Sequence, residues 1–305
     1  MNLWNYIIRP EYVFRPKQFF KRIAKANKKE ISAFEIVELP WDLKVKVNPN
    51  EAIGRSIFNL GIYDLVTTEA IYRLVDDGEI VLDIGANIGY YTGLMSKKVG
   101  KTGKVLAFEP QCEIFQKLKE NICMCEKKLG YQNVNLYNIA LSDLNGRGLM
   151  HSPLDFEVNS GQAFILSDEA SKNVKNINEN NTFTVQLACL DAYVNDYHKI
   201  GLLKIDVEGY ELKVFEGGIN TIKKQIIRDI IFEEHNLYPS PTTNLLEKHG
   251  YKIFGLQKGF LKPLLNKPQA LQKHLWEPPN YIATIDPLRL NKHFKKMGWL
   301  CFEGN

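Results

Sequence analysis

The run Val81-Leu82-Asp83-Ile84-Gly85-Ala86-Asn87-Ile88-Gly89 decides how the chain is read. Apolar residues lead into Asp83, two glycines follow at a spacing of four, and Tyr90 to Val99 reads as a helix. A buried parallel strand, a tight turn and a helix amino terminus are thereby expected, an arrangement that lets backbone N–H groups approach a bound cofactor. A dinucleotide fingerprint requires a second glycine two residues after the first, and here that position is Asn87. The turn therefore argues against a pyrophosphate site, although close strand-to-helix packing alone also uses glycines.

Beyond this turn, β and α patterns alternate regularly, which predicts a parallel sheet with helices on both faces. Strands are expected at Lys104–Phe108, Val134–Asn138, Leu202–Asp206 and Ile226–Phe232, with helices over Cys112–Lys127 and Tyr210–Glu216. Further strands are expected at Phe183–Leu187, Tyr251–Leu256 and Tyr281–Ile285. A hairpin is read at Gly148, and the polar stretch 155–181 is too long for an ordinary connection, so it reads as a mobile loop or active-site lid. The expected organisation is a basic aromatic arm and lead-in hairpin over 1–50, a catalytic domain over 51–290 and a tail over 291–305.

With 305 residues, of which 45% are hydrophobic, the chain can bury one large α/β core. Its five cysteines, Cys112, Cys123, Cys125, Cys189 and Cys301, are odd in number and scattered, so no disulfide framework is expected. No apolar run approaches the roughly 20 residues that span a bilayer, and the opening residues lack a basic region ahead of an apolar one. A cytoplasmic protein is expected. The net charge of +4 conceals an asymmetry: residues 1–29 carry eight basic residues and one acid, Glu11, interleaved with aromatics. Such an arm suits peripheral contact with an anionic membrane, although packing of its aromatics on its own domain gives the same pattern.

The second core strand ends in Phe108-Glu109-Pro110, an acid where a doubly wound nucleotide site binds ribose hydroxyls. Favourable interaction with the dipole of the following helix is the alternative for Glu109. The third strand leads to Ala140-Leu141-Ser142-Asp143, small and polar residues that suit the edge of an adenine pocket. The fourth runs into Lys204-Ile205-Asp206-Val207-Glu208-Gly209-Tyr210-Glu211.

Taken in order, DIGANIGYYT, FEP, ALSD and KIDVEGYE closely resemble the FkbM-family methyltransferases. The resemblance covers about Tyr63 to His235. It implies a class I methyltransferase fold: a doubly wound, seven-stranded, mostly parallel α/β sheet, here preceded by the basic helical arm. It also implies S-adenosylmethionine as methyl donor and a hydroxyl of a sugar, glycan or secondary metabolite as acceptor. Carried over by position, Asp83, Gly85, Asn87 and Gly89 would hold the methionine portion, Glu109 the ribose, and Ala140, Leu141, Ser142 and Asp143 the adenine edge.

An alcohol is a poor nucleophile until its proton is removed or a metal holds its oxygen. Groups for that task belong at the carboxyl ends of strands beside the cofactor. Asp206 and Glu208 end the fourth strand, and Glu233, Glu234 and His235 end the fifth. Strand periodicity puts Glu233 and His235 on one side and Glu234 on the other. Asp206, Glu208 and His235 are thus the catalytic candidates, and Asp206, Glu233 and His235 the candidates for a divalent metal. The other histidines are expected at the surface, and an acid opening the helix after Asp206 is the alternative for Glu208 and Glu211. Nucleic acid is not expected as a substrate, because Asp206-Val207-Glu208-Gly209 is not the proline-rich loop of amino-methyltransferases. The rival readings are a nicotinamide-dependent oxidoreductase and a non-catalytic nucleotide-fold protein docked to membrane by its arm.

Overall fold

The computed structural model describes residues 10–14, 33–151, 164–165, 182–272 and 279–302. Of the basic arm this includes only a four-residue helix, Pro10–Val13; the rest of residues 1–29, on which the membrane expectation was placed, lies outside the described residues.

The chain enters through an antiparallel hairpin, β1 (Glu35–Glu38) and β2 (Lys44–Val47). Its Trp41, Leu43, Val45 and Val47 are buried in the main core, so the lead-in belongs to the domain and is not part of a separate arm. Asn121 fixes it there: its side chain accepts from Lys46 N at 2.7 Å and donates to the carbonyls of Lys46 and Ile88. Helices Ala52–Leu60 and Leu65–Leu74 follow, the second capped by Asp64, which accepts from Val66 N and Thr67 N.

The main sheet then runs through β3 (Ile80–Ile84), β4 (Lys104–Phe108) and β5 (Val134–Tyr137). Next come β6 (Ala140–Leu141), β7 (Gly146–His151), β8 (Phe164–Ile165) and β9 (Thr182–Ala188), which leave the main sheet to form a small four-stranded one ordered β6-β9-β7-β8. The chain returns with β10 (Ile200–Ile205), β11 (Ile227–Glu233), β12 (Lys252–Lys258), β13 (Pro263–Asn266) and β14 (Asn280–Thr284). The order is β13-β12-β14-β11-β10-β3-β4-β5, parallel from β11 to β5, with β14 inserted antiparallel between β11 and β12.

This is the class I methyltransferase arrangement with one addition. The expected sheet had seven strands; the structure has eight, because the Pro/Lys-rich excursion after β12 turns back and pairs antiparallel with it as β13. The strand expected at Phe183–Leu187 exists, but in the small sheet, paired with the Gly148 strand, and residues 155–163 and 166–181 of the proposed lid lie outside the described residues. The region set apart as a tail, 291–305, is core up to Phe302. A helix, Pro287–Lys295, docks on the sheet, Trp299 and Cys301 are buried, and a buried Glu69–Arg73 pair grips the segment. Glu69 accepts from Leu300 N and Cys301 N, while Arg73 donates to the carbonyls of His293, Lys296 and Gly298.

β3 and β10 are nearly unbroken apolar runs because helices cover both sheet faces. Alternation along each strand sends Leu82, Ile84, Leu203 and Ile205 into one apolar layer and Val81 and Leu202 into the other. Asp83 and Lys204 share the second face and lie directly opposite each other in register. The same parity carries Asp206 and Glu233 to that face at the carboxyl edge of the sheet.

Candidate active site

At that edge the loops after β3, β4, β5 and β10 line a cleft that opens to solvent. The glycine loop from Gly85 to Ile88, Glu109 to Gln111, Ile139 to Leu141, and Asp206 to Glu208 form its walls. Ile53, Tyr63, Tyr90, Tyr91 and Met150 contribute the remaining side.

The two glycines of the loop do different work. A Cβ on Gly85 would lie 2.0 Å from the Asp206 carbonyl oxygen, and φ is +74°, so the residue is glycine because β3 and the end of β10 touch there. A Cβ on Gly89, at φ +86°, would meet Leu118 Cδ1 at 2.7 Å; it is a packing glycine against the helix Cys112–Leu129 and does not line the cleft. Asn87 takes a left-handed φ of +48° and caps itself, its Oδ1 accepting from Ile88 N at 2.8 Å.

Glu109 is tied to this loop. Its Oε2 accepts from Asn87 N at 2.9 Å and its Oε1 from Gln111 N at 3.0 Å. Burial pushes its carboxyl up to about 7 against the pull of those two N–H groups. The carboxylate therefore organises the loop and the helix start together, with lone pairs left on the cleft side. Ala140 and Leu141 line the cleft, whereas Ser142 and Asp143 stand behind them: Ser142 Oγ lies 3.2 Å from Tyr210 Oη, and Asp143 pairs with Lys213 at 2.8 Å.

Asp83 is fully buried beneath the loop, accepting from Thr92 Oγ1 at 2.6 Å, and burial raises its carboxyl above the ordinary range. Lys204 balances it. The ammonium lies 3.7 Å from Asp83 Oδ1 and 3.5 Å from Asp206 Oδ2, donates to the Gly85 carbonyl at 3.1 Å, and sits 5.1 Å from the centre of the Tyr91 ring. The sequence reading quoted Lys204 but assigned it nothing. A lysine inside an otherwise apolar strand was the available signal, since such a residue is buried only when paired.

Glu208 lines the cleft at a left-handed φ of +55°, a conformation that costs free energy in a non-glycine residue and clusters at functional sites. Burial and the neighbouring Asp206 carboxylate raise it to about 7. Glu233 is raised too, by burial and by Asp206 and Glu208. Glu211 instead accepts from Val207 N and Gly209 N and shapes the loop. Glu234 turns away to Ser240 Oγ and Asn236 N, as strand parity required.

His235 is brought to the same loop but not into the cleft lining. Its ring packs beside Gly209, 3.6 Å from where a Cβ would stand, and its buried Nε2 has no hydrogen-bond partner among the described residues. The metal candidates Asp206, Glu233 and His235 do not form a ligand set; among the described residues no three His, Cys, Asp or Glu side chains are grouped to hold a metal. His151, expected at the surface, is buried in the small sheet with Nδ1 3.5 Å from Thr182 Oγ1. Among the described residues no helix is long and apolar enough to cross a membrane.

Comparison with known proteins bears on this cleft. The Methyltransferase FkbM domain model matches residues 83–253, from the end of β3 to the start of β12. A second model, Protein-L-isoaspartate(D-aspartate) O-methyltransferase, matches residues 17–145. A protein-L-isoaspartate O-methyltransferase of Methanococcus maripaludis is 35% identical over 81 residues, 27% of this chain and 35% of that protein; the chain thus matches about a third of its length. The hexuronic acid methyltransferase AglP of Haloferax volcanii is 27% identical over 194 residues, covering 61% of this chain and 71% of that protein. A crystal structure of methyltransferase FkbM from Methylobacillus flagellatus aligns over 67% of this chain and 43% of its own, at 16% identity and a TM-score of 0.41.

Proposed function

We propose that this chain, which belongs to the FkbM methyltransferase family, transfers a methyl group to a hydroxyl oxygen of a sugar or glycan acceptor. The family makes it an S-adenosylmethionine-dependent methyltransferase; oxygen as the acceptor atom, and a sugar as its carrier, are our reading. The observation that carries it is Glu208, a cleft carboxylate raised to about 7 beside Asp206.

The cleft suits the donor. It offers an acid, Glu109, for ribose hydroxyls, an apolar wall at Ile139 to Leu141 for an adenine ring, and Lys204 for the carboxylate of the methionine end. Gly85 and Asn87 bring backbone to the same place, while Asp83 and Gly89 hold the loop from behind. When bound, S-adenosylmethionine supplies an electrophilic methyl on a sulfonium. Glu208 takes the acceptor's hydroxyl proton, because a carboxyl near 7 is both deprotonated in good part at neutral pH and basic enough to accept. Asp206, held by Lys204, orients the acceptor, and the tyrosines of the cleft exclude water.

A hexuronic acid is a reasoned first acceptor, since one relative carries that activity in its name. The test is transfer of label from S-adenosylmethionine to a panel of hexuronic acids, neutral sugars and isoaspartyl peptides. Alkali-stable label on sugar supports the reading; label only on the peptide, released by mild alkali as an ester, overturns it.

A further inference from the structure

We infer that the turn between β12 and β13 and the basic face beside it dock on an anionic bilayer, with Phe260 and Leu261 seated among the headgroups. The turn, Gly259 to Lys262, joins the paired residues Lys258 and Pro263. Phe260 is 48% exposed and Leu261 49%, yet the backbone beneath them is pinned: the Phe260 carbonyl accepts from Trp299 Nε1 at 3.0 Å. Two large apolar side chains are thus held outward, the form in which interfacial residues enter a membrane.

Charge selects the occupant. From 255 to 272 the chain has three lysines and no acid, and from 287 to 302 four basic residues and no acid. Lys262 donates to the Phe294 carbonyl at 3.0 Å, which brings exposed Lys295, Lys296 and Met297 to the same face as the turn. Glu11, an acid beside the hairpin, is paired with Lys258. That pair also places residues 10–14 beside the hairpin, and they belong to the stretch 1–29 with its eight basic residues. An apolar tip ringed by lysines matches a bilayer rich in acidic headgroups better than it matches a nucleic acid.

The position matters as well. Leu256 pairs with Asn280, and Asn280 with Glu233, so the turn beyond Lys258 overhangs the carboxyl edge of the sheet, where Asp206 and Glu208 lie. The turn and the cleft are on one edge. Docking itself does not rest on the methyl-transfer reading.

The test is flotation of the full chain with vesicles of phosphatidylglycerol and phosphatidylcholine, against phosphatidylcholine alone. The wild type floats with the acidic vesicles only. Phe260→Ser with Leu261→Ser lowers the bound fraction at least about tenfold. Lys295→Glu with Lys296→Glu lowers it at least about thirtyfold, whereas Lys223→Glu with Lys224→Glu, exposed before the amino end of β11, changes it by no more than about twofold. All variants keep the wild-type melting temperature and S-adenosylmethionine affinity. Unchanged flotation of the tip variant, an equal loss in the β11 control, or binding of single-stranded RNA with no flotation overturns the proposal.

Discussion

The Lys204 ammonium stands 3.5 Å from the Asp206 carboxylate and almost as close to Asp83, in a place with nearly no access to water. Both acids belong to strand ends that would otherwise repel each other, and the lysine is what allows β3 and β10 to finish side by side. Lys204→Met therefore leaves a buried negative charge uncompensated. Its expected loss of stability is on the order of 3–5 kcal/mol at neutral pH. The loss shrinks as pH falls, because Asp83, already raised by burial, protonates and ceases to need a partner. Denaturant titrations at two pH values check this, and adding Asp83→Asn restores part of the loss.

The glycines of the loop separate in the same way. Gly85→Ala forces a Cβ against the Asp206 carbonyl and is expected to destabilise by about 3 kcal/mol or more. Gly89→Ala presses on the movable end of Leu118 and is expected to cost about 1–2 kcal/mol. Thermal unfolding of the two proteins decides; equal losses would mean that backbone contact at Gly85 is not limiting.

Glu109→Ala is expected to weaken S-adenosylmethionine binding by about 1.5–3 kcal/mol, the scale for hydrogen bonds to a charged group. Some of that loss comes from freeing Asn87 N and Gln111 N. Glu109→Gln keeps an acceptor for one of them, so calorimetry should place it between the wild type and the alanine variant.

Methyl transfer should rise with pH through about 7, since the deprotonated form of Glu208 is the one that accepts a proton. Glu208→Gln is expected to lower kcat by a factor of about 10² to 10⁴ and to remove that rise, with donor affinity nearly unchanged. A pH profile measured with an identified acceptor is the check. A variant in which the rise moves to higher pH would transfer the role to Glu233, whose carboxyl is raised further than that of Glu208 in the same cluster.

Strand β4 was legible to the residue and β3 in its place, because each is a short apolar run followed closely by a glycine or a proline. β13 was not: Pro263-Leu264-Leu265-Asn266 opens on a residue without an N–H, lies in a lysine-rich stretch, and becomes a strand only by pairing with β12. Glu109 was found from its distance beyond the glycines, whereas its grip on Asn87 N depends on how the two loops meet. Strand parity predicted the divergence of Glu233 from Glu234 but carried His235 too far, since the chain leaves β11 after Glu233 and places the imidazole against Gly209. Lys204 shows the opposite failure. Its parity with Asp83 was readable, but only the register between β3 and β10 makes the two neighbours.

The Glu69–Arg73 pair has a bearing on how the protein is made. Both side chains are fully buried early in the chain, and their other partners are main-chain groups between His293 and Cys301. A ribosome delivers the glycine loop and every strand of the main sheet before it delivers those groups. The Glu69 carboxylate and Arg73 guanidinium, paired with each other, therefore lack their main-chain partners until translation has passed residue 301, and this part of the core closes only after every strand of the main sheet has been made.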